Sequence, residues 1–115
     1  MKQFTSKDQT ATLIELGFEK PRSSVECELP KGDSRIGQVG IRKAYSIGEL
    51  LSFLPKEIKV VKYDEPAYIQ MLCDEEGVWE VGYTFYGNGM GIERNIEFID
   101  CLFQICIKLK EKGVI

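Results

Sequence analysis

The sequence predicts an α+β domain: a small antiparallel sheet covered by about three helices, with a long C-terminal helix over the sheet. Capping signals and apolar periodicity mark helices near both ends and in the middle of the chain. Residues 57–86 have the pattern of three consecutive strands, and the most apolar stretch, 96–109, follows them. The length of 115 residues corresponds to a single domain, 1–115.

The first helix is predicted from about Lys7 to Leu16. Ser6 can cap it, and Gln9 stands where the reciprocal partner of a capping box belongs. Gly17 follows the last apolar position, which is where many helices end. The stripe expected to be buried is Ala11, Leu13, Ile14 and Leu16.

The segment 19–44 is interrupted by prolines and glycines and has the weakest periodicity in the chain. Residues 25–29 alternate between apolar and polar, and residues 38–43 can pair with them across an intervening turn. One or two irregular strands are therefore predicted in 19–44. The alternative is a mobile arm that becomes ordered on a partner.

The second helix has the clearest start signal, in "YSIGELLSFLP". Ser46 is the predicted N-cap and Glu49 its capping-box partner, while Tyr45 and Leu50 can form a hydrophobic staple. Pro55 ends the helix after about two turns. Ser46 and Glu49 are interpreted as capping residues and not as a nucleophile with its base.

The middle of the chain predicts an antiparallel meander with strands at about 57–63, 67–73 and 78–86. "DEEG" forms the turn before the last of these strands, with Gly77 available for positive φ. One face of that strand is aromatic, and we interpret it as core beneath the helices. Its residues are Trp79, Val81, Tyr83 and Phe85.

The last helix is predicted to begin between Ile92 and Ile96 and to end near Lys112. Between Ile96 and Leu109, ten of fourteen residues are apolar, so the polar side of the helix is one narrow stripe. Such a helix is either the most buried one in the domain or covered on a second side by another chain. Gly113 is predicted to end it.

The glycine-rich stretch "FYGNGMG", residues 85–91, raises the question of a phosphate-binding loop. A dinucleotide-binding loop follows the first strand of a parallel sheet, whereas this one follows a meander. No Lys-Ser or Lys-Thr pair follows the last glycine, and Glu93 brings a negative charge close to it. The loop is therefore predicted to connect a strand to a helix, and no cofactor-binding residue is assigned.

Composition excludes several kinds of chemistry. The chain has no histidine, which removes Ser-His-Asp and Cys-His catalysis and any histidine metal ligand. Its four cysteines contain no C-x-x-C pair, so a zinc site lacks its usual spacing. We expect them to be buried and reduced. No catalytic and no metal-binding residue is assigned. The cysteines are Cys27, Cys73, Cys101 and Cys106.

Charge and hydropathy constrain location and partners. A net charge of -3, with the cations dispersed, disfavours nucleic acid as a partner. The N-terminal "MKQFTSKDQT" is too polar for a signal peptide, and no apolar run reaches the length of a membrane span. These features predict a cytoplasmic protein without a membrane partner.

Three segments carry a resemblance: "FTSKDQTATLIELGFEKP", "YSIGELLSFLPKEI" and "IKLKEKGVI". They resemble a group of short uncharacterised proteins from anaerobic gut bacteria and their phages or mobile elements. The resemblance implies a bacterial or phage setting. The group has no known activity or catalytic motif, so the resemblance transfers no functional residue.

The functional hypotheses rest mainly on the absence of a recognisable catalytic motif in the sequence. The leading hypothesis is a small non-enzymatic interaction or accessory module that binds another protein or forms a homo-oligomer. The alternative is a small-ligand-binding protein or minor enzyme with a site between the sheet and segment 19–44. Its candidate polar residues are Asp64, Glu65, Glu80 and Tyr86. A nucleic-acid-associated protein of a mobile element is the third hypothesis, which the charge disfavours.

Overall fold

The computed structural model describes residues 1–27, 40–60, 65–85 and 88–115. Within them the chain is an α+β domain, as predicted, with three helices, a two-stranded antiparallel hairpin (β1–β2) and a four-stranded antiparallel sheet in the order β3-β4-β5-β6. The elements are α1 (Lys7–Glu15), β1 (Ser23–Cys27), β2 (Gly40–Ala44), α2 (Ile47–Phe53), β3 (Glu57–Val60), β4 (Glu65–Cys73), β5 (Trp79–Phe85), β6 (Asn88–Asn95) and α3 (Phe98–Glu111).

Helix α1 starts as predicted but buries only part of its predicted apolar stripe. The Ser6 and Gln9 side chains form the capping box, and Gly17 follows the helix with φ of 94°. Leu13 is fully buried, whereas Ala11 and Ile14 are exposed. The predicted apolar stripe is therefore only partly covered.

The segment 19–44 contains the predicted pair of strands. Strands β1 and β2 pair from Ser23 opposite Ala44 to Cys27 opposite Gly40. Residues 28–39 lie outside the described part of the chain, so the expected turn and the end of the first strand fall there.

Helix α2 confirms the second capping box. The Ser46 hydroxyl accepts a hydrogen bond from the Glu49 N–H at 3.1 Å, and the Glu49 carboxylate accepts one from the Ser46 N–H at 3.2 Å. Tyr45 and Leu50 are both fully buried in the main hydrophobic core, as a hydrophobic staple requires.

The turn between β4 and β5 also has the predicted position. The Asp74 carboxylate accepts hydrogen bonds from the N–H groups of Glu76 and Val78, both at 2.9 Å. Gly77 has φ of 82°, which an L residue with a side chain rarely adopts. The aromatic face of β5 is core: Val81 and Tyr83 are buried.

The prediction for the glycine-rich stretch is wrong. Residues 88–95 form a fourth strand, β6, which pairs antiparallel with β5 from Phe85 opposite Asn88 to Trp79 opposite Asn95. The stretch thus joins two strands, with residues 86–87 outside the described part, instead of leading into a helix. Glycine has a low β propensity, which hid this strand, but pairing with β5 overrides local preference.

Helix α3 consequently begins later than predicted, at Phe98. The Asn95 side-chain oxygen accepts a hydrogen bond from the Glu97 N–H at 2.9 Å just before it. Gly113, with φ of 73°, ends the helix as predicted, and the Val114 N–H donates to the Leu109 carbonyl at 2.9 Å.

The position of α3 explains why so many of its residues are apolar. The helix packs against β5, β6 and α2 and is the most deeply buried of the three helices. Its apolar surface is therefore used inside the domain and does not require a second chain. Its buried residues are Phe98, Ile99, Cys101, Leu102, Phe103, Ile105, Cys106 and Leu109.

Candidate interaction surface

The four-stranded sheet has an inner face, against which α3 packs at β5 and β6, and an outer face that carries exposed apolar side chains. On the outer face, the solvent-exposed fraction is 55% for Tyr68, 60% for Leu72 and 38% for Ile92. We call these three residues the outer patch. Single exposed apolar residues are normal on protein surfaces, but a group on one sheet face is typical of a binding surface.

A β-bulge places Ile92 in the outer patch. Val81 pairs with Glu93, but Tyr83 pairs with Met90, so two residues of β6 stand opposite Gly82 alone. A Cβ at Gly82 would lie 2.8 Å from Ile92 Cγ1 and 2.9 Å from Ile92 Cα. The absence of a side chain at Gly82 therefore allows Ile92 to lie over β5.

Charged residues of both signs surround the outer patch. At one end, Arg94 Nε lies 3.5 Å from Glu80 Oε2, and Arg94 also contacts Asp74 at 3.7 Å. At the other end, Glu57 and Lys59 are on the outer side of β3, because Glu57 pairs with Tyr68. The outer face therefore carries no strong charge of either sign.

Both edges of the sheet have features that discourage pairing with another strand. Strand β3 has only four residues and carries the charged Glu57 and Lys59. Strand β6 contains the bulge and the charged pair Glu93 and Arg94. Short length, charge and bulges are the usual protection of sheet edges, so the outer face is a better binding surface than either edge.

Of the four polar residues proposed for the ligand or enzyme hypothesis, the two that the structure describes, Glu65 and Glu80, do not come together. Asp64 and Tyr86 lie outside the described residues. Glu65 and Glu80 stand seven residues apart along β4, since Glu80 pairs with Leu72, and this separation corresponds to about 23 Å. That distance is too long for two carboxylates to act on one substrate atom.

The buried tyrosines are bound to backbone carbonyls. The Tyr83 hydroxyl donates to the Pro55 carbonyl at 2.6 Å, and the Tyr45 hydroxyl to the Glu19 carbonyl at 2.6 Å. Burial, with a smaller effect of Cys106, raises the pKa of Tyr83 to about 12. Burial and the nearby Glu49 and Glu19 also raise the pKa of Tyr45. Neither hydroxyl is prepared to act as a base.

The cysteines are all free, and two of the four are buried as expected. Burial raises the pKa of Cys106 to about 12, and burial together with Glu93 and Asp100 raises that of Cys101. Both thiols are therefore protonated and poor nucleophiles. Cys27 is partly exposed and Cys73 is exposed, so the expectation of burial is wrong for Cys73.

Glu49 forms the densest polar cluster that the structure describes. Besides capping α2, its carboxylate accepts hydrogen bonds from the N–H groups of Arg22 and Ser23 and from the Ser23 hydroxyl. Burial acts to raise the pKa of Glu49, but these bonds and the one from Ser46 outweigh it and leave the pKa lowered. Glu49 thus attaches the hairpin to α2 and is saturated with donors.

A second polar cluster joins the N-terminus to the helices. Asp100 Oδ1 accepts hydrogen bonds from Lys2 Nζ and Gln9 Nε2, both at 2.8 Å. Burial acts to raise the pKa of Asp100, but Lys2 and Gln9 outweigh it and the pKa is lowered. Like Glu49, this carboxylate has a structural role.

Among the described residues, no group of three Cys, Asp or Glu side chains is arranged to hold a metal ion. No helix in the same ranges is long and apolar enough to cross a bilayer.

Comparison with protein families, curated proteins and solved structures finds no match for the chain. The resemblance in the three helix-end segments therefore stays a prediction. The sequence does not reveal the outer patch because it does not reveal β6: Ile92 lies in the range 92–96 where the last helix is predicted to begin. Part of the patch does have a signal in the sequence, because Tyr68 and Leu72 fall on the same side of the predicted strand 67–73.

Proposed function

We propose that the protein is a non-enzymatic interaction module that acts through its outer patch, and that the occupant of this surface is a second copy of the chain. The observation that carries the proposal is the exposure of Tyr68, Leu72 and Ile92 together on one sheet face. The buried tyrosines and thiols support a non-enzymatic role because their hydroxyls and thiols are bonded or protonated.

Charge favours a second copy as the occupant. The outer face carries Glu57 and Lys59 at one end and Glu80 and Arg94 at the other, although the whole chain has a net charge of -3. In a two-fold symmetric dimer each residue meets a residue of the same surface, so a balanced surface can pair its acids with its own bases. A strongly anionic partner such as nucleic acid finds no concentrated positive charge there.

Because the outer patch is small, we expect dimerisation to be weak. Three partly exposed apolar residues contribute far less buried area than the interface of a permanent dimer. The expected assembly is a weak dimer whose population rises with concentration. The bacterial or phage setting implied by the resemblance belongs to this proposal as its biological context.

The test is the oligomeric state by sedimentation velocity over a wide range of concentrations. The informative variant is Leu72→Ser, and the matched control is Ile41→Ser, because Ile41 is 74% exposed on the hairpin and far along the chain from the patch. We expect wild type and Ile41→Ser to dimerise equally. Leu72→Ser should weaken the dimer by about tenfold to a hundredfold, because each of the two copies loses one partly exposed leucine from the interface.

Two results would contradict the proposal in different ways. A wild-type chain that stays monomeric at the highest concentration removes the second copy as the occupant. If affinity capture from a bacterial host then recovers one partner protein with wild type and Ile41→Ser but loses it with Leu72→Ser, the outer patch remains an interaction surface for that protein. If Leu72→Ser changes neither dimerisation nor the recovery of a partner protein, the outer patch is not an interaction surface.

A further inference from the structure

A groove separates α1 from the β1–β2 hairpin, away from the outer patch. Its volume is about 580 Å³, which is in the range of small-molecule sites. The groove is lined from α1 by Lys7, Ala11 and Ile14 and from the hairpin by Cys27, Arg42 and Lys43. Among the residues that the structure describes, the lining combines apolar carbon with three cations and includes no acidic residue.

The groove explains why the apolar stripe of α1 is not fully buried. Lys7, Ala11 and Ile14 are spaced by four and three residues and so share one side of the helix. That side faces the open groove instead of the main core, which α1 reaches through Leu13. A helix face with the composition of a core face therefore stays accessible to a ligand.

Arg42 gives the groove a specific chemical requirement. Its Nη2 donates one hydrogen bond, to the Thr5 carbonyl at 2.9 Å. Its Nη1 is buried and has no hydrogen-bond partner in the described part of the chain. Buried polar atoms are nearly always bonded, and a guanidinium nitrogen bonds best to an anionic oxygen.

We propose that this groove binds a small organic carboxylate whose apolar body lies along Ala11 and Ile14. The carboxylate pairs with the Arg42 guanidinium, after a small turn of the side chain that uncovers Nη1, and Lys7 adds positive charge at the mouth. Lys43 contributes less because its Nζ already donates to the Arg22 carbonyl at 3.3 Å. A doubly charged phosphate without an apolar body would leave the carbon lining unused.

The groove can be compared with the ligand-binding site predicted from the sequence, between the sheet and segment 19–44. Segment 19–44 contributes Cys27, Arg42 and Lys43, as that prediction requires, but the opposite wall is α1 and not the meander. The proposal does not depend on the outer patch, since none of the three patch residues lines the groove.

The test is a titration of the full chain followed by amide chemical shifts in ¹⁵N NMR, with octanoate as the probe. Octanol has the same chain without the charge, and inorganic phosphate has charge without the chain. We expect octanoate to give saturable shifts at α1 and at the hairpin residues around Arg42. Octanol should bind at least about tenfold more weakly, as expected when a charge-assisted hydrogen bond is lost.

Variants make the result specific. Arg42→Gln should weaken octanoate binding by about tenfold, whereas Lys59→Gln, which removes a cation from the outer sheet face, should leave it unchanged. Because Arg42→Gln also loses the bond to Thr5, Ala11→Glu provides a second test: it keeps Arg42 but places a carboxylate in the groove, and should weaken binding similarly.

The proposal fails if octanoate produces no saturable shift in the groove, or if octanol binds as tightly as octanoate. It also fails if inorganic phosphate alone saturates the same amides, since the apolar wall would then have no role. Equal binding by folded Arg42→Gln and wild type would remove the guanidinium from the site.

Discussion

Helices α3 and α1 are both amphipathic and both contact the core, but they are held in different ways. Helix α3 buries eight of its residues against β5, β6 and α2. Helix α1 buries Thr10 and Leu13, and its other attachments are polar: Gln9 bonds to Asp100, and the hydroxyls of Thr5 and Thr10 lie 2.7 Å apart. One region is stabilised by apolar area and the other by a few directed bonds.

Amphipathic periodicity therefore predicts which side of a helix is apolar but not how completely a neighbour covers it. For α3 the sheet and α2 cover nearly the whole apolar side. For α1 the neighbour is a two-stranded hairpin, which is narrow and leaves Ala11 and Ile14 beside the groove.

The largest loss of stability is expected for Leu102→Ala in α3. Leu102 is fully buried, so truncation leaves a cavity and should lower the free energy of unfolding by about 2–5 kcal/mol. Urea denaturation measures the change. Gln104→Ala, at an exposed position of the same helix, is the control and should stay within about 0.5 kcal/mol of wild type. Equal effects would show that α3 does not carry the core.

A second test uses two glycine substitutions with opposite expected signs. Gly82→Ala should lower the free energy of unfolding by about 1–3 kcal/mol, because the new Cβ would overlap Ile92. Gly48→Ala is the control: in α2 its Cβ meets only Ser46 Oγ at 3.8 Å, and alanine favours helix, so stability should rise by up to about 1 kcal/mol. Thermal unfolding measures both. A stabilising Gly82→Ala would contradict the packing of Ile92.

The polar attachment of the hairpin should appear as a pH dependence. The pKa of Glu49 is lowered by folding, so its contribution to stability is present above its unfolded pKa, near 4.5, and is lost as the pH falls through the folded value. Glu49→Gln should cost about 1 kcal/mol at pH 7. Below about pH 4 the difference between variant and wild type should shrink.

Denaturation curves at several pH values check this prediction. Asp100 also has a lowered pKa and loses stabilisation in acid with the same sign, so the relevant quantity is the difference between the two proteins and not either curve alone. A difference that stays constant from pH 7 to pH 3 would show that the charge of Glu49 is unimportant.

The smallest effect is expected for Ile14→Ala in α1. Ile14 is 39% exposed beside the groove, so its truncation should change the free energy of unfolding by less than about 1 kcal/mol. Leu13→Ala, one position away and fully buried, should cost about 2–5 kcal/mol. Similar losses at the two positions would mean that the groove is closed in solution.

Much of the fold was predictable because its signals are local. Capping boxes at Ser6 and Ser46 and the terminating glycines at 17 and 113 depend on residues within one helical turn, and all four are confirmed. Strand β6 was not predictable in this way. Its glycines weaken the local preference for a strand, and its stability comes from pairing with β5, which is a tertiary contact.

The candidate sites show the same limit. The outer patch requires the register that places Ile92 over Gly82, and the groove requires the position of α1 relative to the hairpin. Neither arrangement leaves a motif in the sequence. Asp64, Glu65, Glu80 and Tyr86 were chosen for residue type alone, and Glu65 and Glu80 prove to be far apart along the sheet.

The close approach at Gly82 has an evolutionary consequence. A side chain can appear at position 82 only if the bulge in β6 is removed, since Ile92 Cα, a backbone atom that every residue has, already lies 2.9 Å from the Cβ site. In related sequences a substitution of Gly82 should therefore accompany a change in the pairing of β6. A lineage that loses Gly82 should lose the bulge with it, and residue 92 would then no longer lie over β5 on the exposed sheet face.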